Sequence, residues 1–225
     1  MKLSTDTLSV LKNFASINQG IMFKKGKTIR TVSAQKNVMA EATVSDEFPT
    51  DFGVYDLNNF LSVLTLHKEE PTLDFQDNNV LISGLQGRSK IKYRFCAPHM
   101  IVAAPDKPIA MPDAEISFEL KSEDFEWIMK AASVLSSPCI AIESDGSKIF
   151  VTTFDPTNDA AHTDSLEIGT GDGNSYKMIF KLENIKMISG SYDVKISSKG
   201  ISHFKHKLLN VQYWIATETG SKYGA

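Results

Sequence analysis

The residues that could carry chemistry in this 225-residue chain are few and scattered. The one close histidine pair, His203 and His206, has no cysteine or carboxylate at the spacing of a known metal site. The glycine-rich run at 169–173 lacks the Gly-Lys-Ser/Thr of a phosphate-binding loop, and no predicted helix follows it. No Gly-x-Ser-x-Gly elbow is present. We therefore predict no metal, no cofactor and no enzymatic activity.

The overall composition is that of a globular protein, with 42% hydrophobic and 23% charged residues. Cys96 and Cys139 are isolated in sequence and are expected to be reduced core residues. No stretch approaches the ~20 consecutive apolar residues of a membrane span, and the first residues lack the apolar core of a signal peptide. We expect a cytosolic protein that makes no membrane contact.

The charge differs in sign between the two halves of the chain. Residues 1–110 carry 13 basic and 11 acidic side chains, whereas residues 111–225 carry 11 and 16, and the net charge is -3. Coating nucleic acid through charge alone needs an excess of Lys and Arg, so any DNA contact must be local. The asymmetry is either accidental or suited to a head-to-tail assembly in which one half meets the other.

Hydrophobic spacing predicts amphipathic helices and short strands along the whole chain. Ser4 or Thr5 caps the first helix, and Asp56 caps the second. The predicted helices cover residues 5–17, 57–64, 122–135 and 182–187. The predicted strands cover residues 20–23, 28–33, 38–44, 52–55, 72–76, 80–84, 90–96, 116–120, 139–144, 148–154, 164–169, 176–180, 192–197, 200–205 and 211–217.

This order of elements occurs twice, which indicates a tandem duplication. Residues 26–32 align with residues 146–152 at an offset of 120, close to half the chain length. Four prolines between residues 97 and 114 suit an extended connector. We predict an α+β fold of two duplicated β-rich domains, residues 1–110 and 111–225, each an antiparallel sheet with two helices on one face.

Three segments resemble sliding clamps of T-even-type bacteriophages: LKNFASINQGIM at 11–22, VYDLNNFL at 54–61 and KPIAMP at 107–112. The resemblance is strong in the first half, whereas residues 150–225 match by pattern only. It implies a ring-shaped homotrimer with helices around the hole and sheets as the outer wall. Such a ring encircles double-stranded DNA without sequence specificity, is opened by a clamp loader ATPase and tethers the replicative DNA polymerase. The implied location is the cytoplasm of the infected bacterial host.

The resemblance also implies three groups of site residues. The DNA-facing candidates, on polar helix faces that equally suit plain solvation, are Lys12, Asn13, Asn59, Lys130, Lys181 and Lys186. The subunit-interface candidates are Arg88, Lys90, Lys92, Arg94, Asp164 and Glu167. The candidates for a pocket that binds partner peptides are Ile109, Met111, Pro112, Tyr213 and Ile215.

Each group has a plainer interpretation. The basic strand at 88–94 would also protect a free sheet edge from aggregation, and the connector residues would also serve to pin the connector to the sheet.

Two other classes of protein stay open at this point. One is a structural protein of a phage particle built from duplicated β-rich domains, and the other is a hydrolase without a known motif.

Overall fold

The computed structural model describes residues 1–67 and 70–224, and the chain divides into two compact units, Met1–Lys107 and Pro108–Ala225. Both units are built mainly from antiparallel strands with helices packed on them, so the predicted α+β class is confirmed. The domain boundary expected between residues 110 and 111 lies near this division and stays a prediction.

The first unit contains two α-helices and four antiparallel pairings of strands. Its elements are α1 (Thr5–Ile17), β1 (Ile21–Phe23), β2 (Gly26–Val32), β3 (Val38–Phe48), β4 (Phe52–Val54), α2 (Leu57–Thr65), β5 (Thr72–Phe75), β6 (Asn79–Gly84) and β7 (Ser89–Arg94). Strand β1 pairs with β4, and β2 pairs with β3. Strand β6 lies between β5 and β7, so β7 stands at one end of its sheet.

Helix α1 begins where the sequence predicts because Ser4 caps its first turn and Asp46 holds Ser4 in place. The Ser4 hydroxyl accepts a 3.2 Å hydrogen bond from the Thr7 amide. The Ser4 amide and hydroxyl in turn donate to the carboxylate of Asp46 on β3, at 2.8 and 2.7 Å. The buried face of the helix, including Leu11 and Phe14, packs towards β3. The Asp46 contacts therefore fix both the start of α1 and its position on the sheet.

Aromatic rings fill much of the core of the first unit. Phe23 on β1 and Phe52 on β4 stack with their centroids 4.4 Å apart, and Phe48 lies 4.7 Å from Phe23. Phe75 and Phe95 extend this cluster towards the β5–β6–β7 sheet. Offset and tilted ring pairs of this kind add to the stability gained from burial alone.

The second unit contains one α-helix and two antiparallel sheets. Its elements are β8 (Ile116–Leu120), α3 (Ser122–Val134), β9 (Cys139–Asp145), β10 (Lys148–Phe154), β11 (Asp164–Thr170), β12 (Ser175–Lys181), β13 (Tyr192–Ser197), β14 (Ile201–His206), β15 (Val211–Ala216) and β16 (Lys222–Tyr223). One sheet has the order β11–β10–β9–β12–β16, which places β11 at an edge. In the other sheet β8, β13, β14 and β15 are neighbours in that order.

The prediction of a helix over 182–187 is wrong, so the described residues contain three α-helices rather than four. Only one 3-10 turn forms, at Leu182–Asn184, and the backbone leaves the helical region at Ile185. Asn184 and Ile185 are both buried, so this segment buries adjacent residues instead of a stripe at helical spacing. No side chain caps its start, because Lys181 occupies the N-cap position.

Candidate functional site

Strand β7 combines an edge position with a basic face. Its exposure alternates, so that Lys90, Lys92 and Arg94 are exposed while Ile91 and Tyr93 point towards the core. The Tyr93 hydroxyl donates to the backbone carbonyl of residue 56, and its ring contacts Phe60 of α2. Arg88, which precedes the strand, is exposed as well. The structure therefore brings together all four basic residues that the sequence proposed for this edge.

Strand β11 is an edge strand in the second unit and carries the two predicted acidic residues. Glu167 lies on its exposed face, but its carboxylate is only 2.6 Å from the Nζ atom of Lys148 on β10. Asp164 accepts a 3.0 Å hydrogen bond from the indole Nε1 of Trp127 on α3. Both carboxylates thus have partners inside their own unit, which the sequence analysis did not foresee. Contacts with another chain would compete with these bonds or add to them.

An exposed apolar surface on α3 next to β11 was not predicted from the sequence. Trp127 is 55% exposed and Val134 is 74% exposed. With Ala131 and Leu135 they form what we call the α3 patch, which lines a hollow of about 380 Å³ that also reaches Asp164. Isolated exposed apolar residues need no explanation, but a contiguous patch beside a sheet edge marks an interaction site. The sequence did contain a signal, because Trp127 and Val134 fall outside the helical stripe of buried residues on α3.

The DNA-facing candidates lie on several different elements of the two units. In the first unit, Lys12 is exposed on α1, Asn13 beside it is half-buried, and Asn59 is exposed on α2.

The other three candidates belong to the second unit. Lys130 is the one lysine within α3, and that helix also exposes two glutamates. Lys181 ends β12 with its Nζ atom 3.6 Å from a Glu218 carboxylate oxygen, and Lys186 is exposed beyond the 3-10 turn.

The peptide-pocket candidates separate into two environments. Ile109, Met111 and Pro112 in the connector are half-buried. Tyr213 and Ile215, by contrast, are fully buried in the core of the second unit, so neither side chain offers a surface to a peptide. The Tyr213 hydroxyl accepts a hydrogen bond from the backbone amide of residue 188, and burial raises the pKa of this phenol. The proposed second wall of the pocket is therefore corrected: these two residues are core.

The two ends of the connector are each anchored to their own unit. In the first unit, the side-chain amide of Asn18 donates to the carbonyl of Val102 at 3.0 Å. In the second unit, the amide and hydroxyl of Ser198 both donate to the Glu115 carboxylate at 2.8 Å. The bond from the Ser198 amide lowers the pKa of Glu115, which keeps the carboxylate charged. These contacts favour a pinned connector whose anchors lie on either side of the candidate peptide-binding residues.

The residues first considered for catalysis have structural roles. The Nδ1 atom of His206 accepts 3.0 Å hydrogen bonds from the amides of Leu208 and Leu209, which shapes the β14–β15 turn. His203 stacks on Trp214 across the pair of strands. Within residues 1–67 and 70–224, no group of three or more His, Cys, Asp and Glu side chains is arranged to hold a metal ion. None of the helices in this described part has the length and apolar character needed to span a membrane.

Two known protein families match this chain, and they define its class. The family described as DNA polymerase processivity factor matches residues 4–103, and the family described as gp45 sliding clamp, C terminal, matches residues 117–219. Processivity factors of this kind are not enzymes, so the class assigns the chain a non-enzymatic role.

Two curated relatives make the assignment specific. The sliding clamp of Vibrio phage KVP40 is 35% identical over 97% of this chain and 99% of its own length. The sliding clamp of Enterobacteria phage T4 is 38% identical over 89% of each chain. This chain belongs to the sliding clamp family of T4-type phages, as its sequence resemblance predicted.

Solved structures support the fold independently. PCNA from Thermococcus kodakaraensis matches with a TM-score of 0.68 at 16% identity, covering 95% of this chain and 96% of that one. PCNA from A. fulgidus, solved with the C-terminal region of FEN-1 bound, also matches with a TM-score of 0.68 at 15% identity, over 96% of each chain. The predicted clamp fold is thereby confirmed, and the alternative of a structural protein of the phage particle has no support.

Proposed function

We propose that this chain forms a ring-shaped homotrimer that encircles duplex DNA and tethers the replicative DNA polymerase, with a clamp loader ATPase opening the ring. The sliding clamps of phages T4 and KVP40, which match over most of the chain, support this role. Their phage origin also supports a location in the cytoplasm of the infected bacterial host. We assign the processivity function to two domains, residues 1–110 and 111–225.

The observation that carries the trimer is a pair of free sheet edges of opposite charge, β7 in one unit and β11 in the other. When β7 of one copy pairs with β11 of the next, each interface uses two different surfaces, and such a heterologous interface closes into a ring when its rotation permits. Lys90, Lys92 and Arg94 then lie along a strand that carries Glu167. Cross-strand charge pairs contribute only ~0.2–1 kcal/mol each, so they select the partner and the register.

The α3 patch accounts for the affinity that the charges do not supply. In a sheet continued across the interface, the core-facing side of β7, with Ile91, would lie on the same side as α3 of the neighbour. Covering Trp127 and Val134 with a second copy would contribute about 1.5–3 kcal/mol for each side chain that becomes fully buried. Because Lys148 already neutralises Glu167, the apolar contact rather than the ion pairs would dominate the interface.

Weak, dispersed contact with DNA suits a topological link. The exposed residues of α2 are uncharged, and Lys12 is the one lysine of α1. We propose that Lys12, Asn13, Asn59, Lys130, Lys181 and Lys186 face the duplex. A ring held by its closure needs no strong phosphate contact, and a nearly neutral wall lets it slide.

Partner proteins would attach through short peptides at the connector. The PCNA of A. fulgidus was solved with the C-terminal region of FEN-1 bound, which supports peptide docking as the mode of attachment. We place the apolar contact at Ile109, Met111 and Pro112, which are partly accessible, and leave Tyr213 and Ile215 to the core.

Mass in solution tests the assembly. Light scattering of the purified chain over a range of concentrations is expected to give the mass of three chains. A monomeric mass at every concentration would contradict the trimer.

A further inference from the structure

A basic groove lies between the β1–β2 turn and the beginning of the connector, and the proposed function does not use it. The groove has a volume of about 830 Å³, within the ~300–1,000 Å³ range of ligand-binding clefts. The charged side chains along it are Lys24, Lys25, Lys27, Arg30, Asp51 and Asp106. Four cations therefore face two carboxylates, and all of these residues belong to the first unit.

Two of the four cations hold the groove in shape. The Nζ atom of Lys24 lies 3.4 Å from a carboxylate oxygen of Asp51 and 3.4 Å from one of Asp106. Hydrogen bonding to Asp106 raises the pKa of Lys24, so this lysine stays charged. Arg30 pairs with Glu41 and donates a 2.7 Å hydrogen bond to the backbone carbonyl of residue 106. The connector wall is thus attached to β2 and to the turn before it.

The other two cations point into solvent at the mouth of the groove. Lys25 and Lys27 are exposed, and neither makes an ion pair with another described residue. Gly26 lies between them with φ at +114°, a backbone conformation that glycine adopts readily. The Lys25 amide donates a 2.7 Å hydrogen bond to the Asp51 carboxylate, which fixes the turn while leaving both ammonium groups available.

Part of the lining of the groove is apolar. It consists of Met22 from β1 and the connector residues Pro98, Ala103, Ala104 and Pro105. Small and proline side chains leave room for a backbone to approach, and an aliphatic side chain laid on them would lose contact with water. Exposed basic residues beside apolar side chains together describe a site for an amphipathic, negatively charged chain segment.

We propose that this groove binds a short, extended, acidic peptide segment of a partner protein. Its carboxylates would face Lys25 and Lys27, and its aliphatic side chains would lie on the apolar part of the lining. Asp51 and Asp106 share the single positive charge of Lys24, so a net negative charge is left beside it. This charge argues against nucleic acid, because it would repel a continuous run of phosphates, whereas a peptide can place neutral residues there. The site is separate from Ile109 and Met111, and it does not depend on ring closure.

Fluorescence anisotropy with a defined probe tests the proposal. The probe is the fluorescein-labelled peptide Glu-Leu-Asp-Leu-Glu-Asp-Leu-Asp, and its matched control has Gln and Asn in place of Glu and Asp. The acidic peptide is expected to bind, with affinity that falls as salt rises. The Lys25→Glu, Lys27→Glu double variant should weaken binding about tenfold or more, because two attractions become repulsions. The double variant Lys195→Glu, Lys199→Glu makes the same charge change on the second unit and should bind as the wild type does.

Four results would overturn the proposal. The first is no binding of the acidic peptide up to about 1 mM, where the free energy of binding is only ~4 kcal/mol. The second is equal binding of the neutral peptide, and the third is an equal loss of peptide affinity in both double variants. The fourth is tighter binding of a labelled oligonucleotide that depends on Lys25 and Lys27. The last result would assign the groove to nucleic acid. Trimer mass measured on the same variants separates this site from the proposed function, because the groove variants should remain trimeric.

Discussion

The indole Nε1 of Trp127 donates a 3.0 Å hydrogen bond to the carboxylate of Asp164. This bond ties the exposed side of α3 to the first residue of edge strand β11, so the apolar patch and the free edge form one surface. A residue chosen from sequence for its charge, Asp164, thereby serves to orient a large apolar side chain that the sequence analysis overlooked. The α3 patch and β11 should therefore act together in binding another copy.

The first prediction concerns the α3 patch. Val134→Asp should raise the dissociation constant of the trimer about tenfold or more, because it removes an apolar contact worth ~1.5–3 kcal/mol and places a charge in the interface. Ser133→Asp introduces the same charge at the neighbouring exposed position and serves as the control. Light scattering on dilution measures both variants. Equal dissociation of the two, or none in Val134→Asp, would remove the patch from the interface.

The second prediction concerns the charges of the two edge strands. Lys90→Glu with Lys92→Glu should weaken assembly, and adding Asp164→Lys with Glu167→Lys should restore part of it. Restoration should be incomplete, because these acidic-strand changes also break the contacts with Trp127 and Lys148. The Lys195→Glu, Lys199→Glu variant is the control for net charge. If the Lys90→Glu, Lys92→Glu variant stays fully trimeric at a dilution that dissociates the Val134→Asp variant, β7 does not pair with β11.

The third prediction concerns pH and the cap of α1. Burial raises the pKa of Asp46, but hydrogen bonds from Thr7 and from Ser4 outweigh it, and the net shift is downward. A carboxylate with a lowered folded-state pKa stabilises the fold above its unfolded pKa, and this stability is lost as pH falls through the folded pKa. Asp46→Asn should cost about 1 kcal/mol at neutral pH. Urea unfolding should show that the difference from wild type shrinks in acid; a difference independent of pH would refute the role of the charge.

The fourth prediction concerns the connector. If Ile109 and Met111 anchor partner peptides, Ile109→Ser with Met111→Ser should leave the trimer intact and weaken binding of the polymerase tail peptide, since each anchor contributes ~1.5–3 kcal/mol before ordering costs. Calorimetric titration measures the affinity. If the residues only pin the connector, the double variant should lose thermal stability while surviving molecules keep their affinity. Unchanged affinity in the folded variant would eliminate this site.

The sequence predicted local structure well wherever local chemistry decides it. The bounds 5–17 for α1 and the capping role of Asp56 follow from caps and hydrophobic spacing, which act within a few residues. The failure at 182–187 has the opposite cause, since buried neighbours at Asn184 and Ile185 come from packing that spacing alone does not reveal. Strand β16, only two residues long, carries no periodic signal at all.

The candidate site was predictable in its charges and not in its contacts. Alternation along 88–94 was enough to place Lys90 and Lys92 on one exposed face of a strand, and the resemblance to sliding clamps implied its edge position. The pairing of Glu167 with Lys148 depends on the register between β10 and β11, which the sequence does not specify. The burial of Tyr213 depends likewise on the strands around it, so the resemblance implied a pocket wall where the structure has core.

The central claim, that the chain is held on DNA by encircling it, is tested most directly by retention on circular and linear duplexes of equal length. After loading, the ring should remain on closed circles at moderate salt and leave linear DNA through its free ends, and Lys12→Glu should change this difference little. A protein that binds DNA directly would ignore topology, and its affinity would fall with salt at a slope of about -0.9 per neutralised phosphate. Equal retention on circular and linear DNA would contradict encirclement.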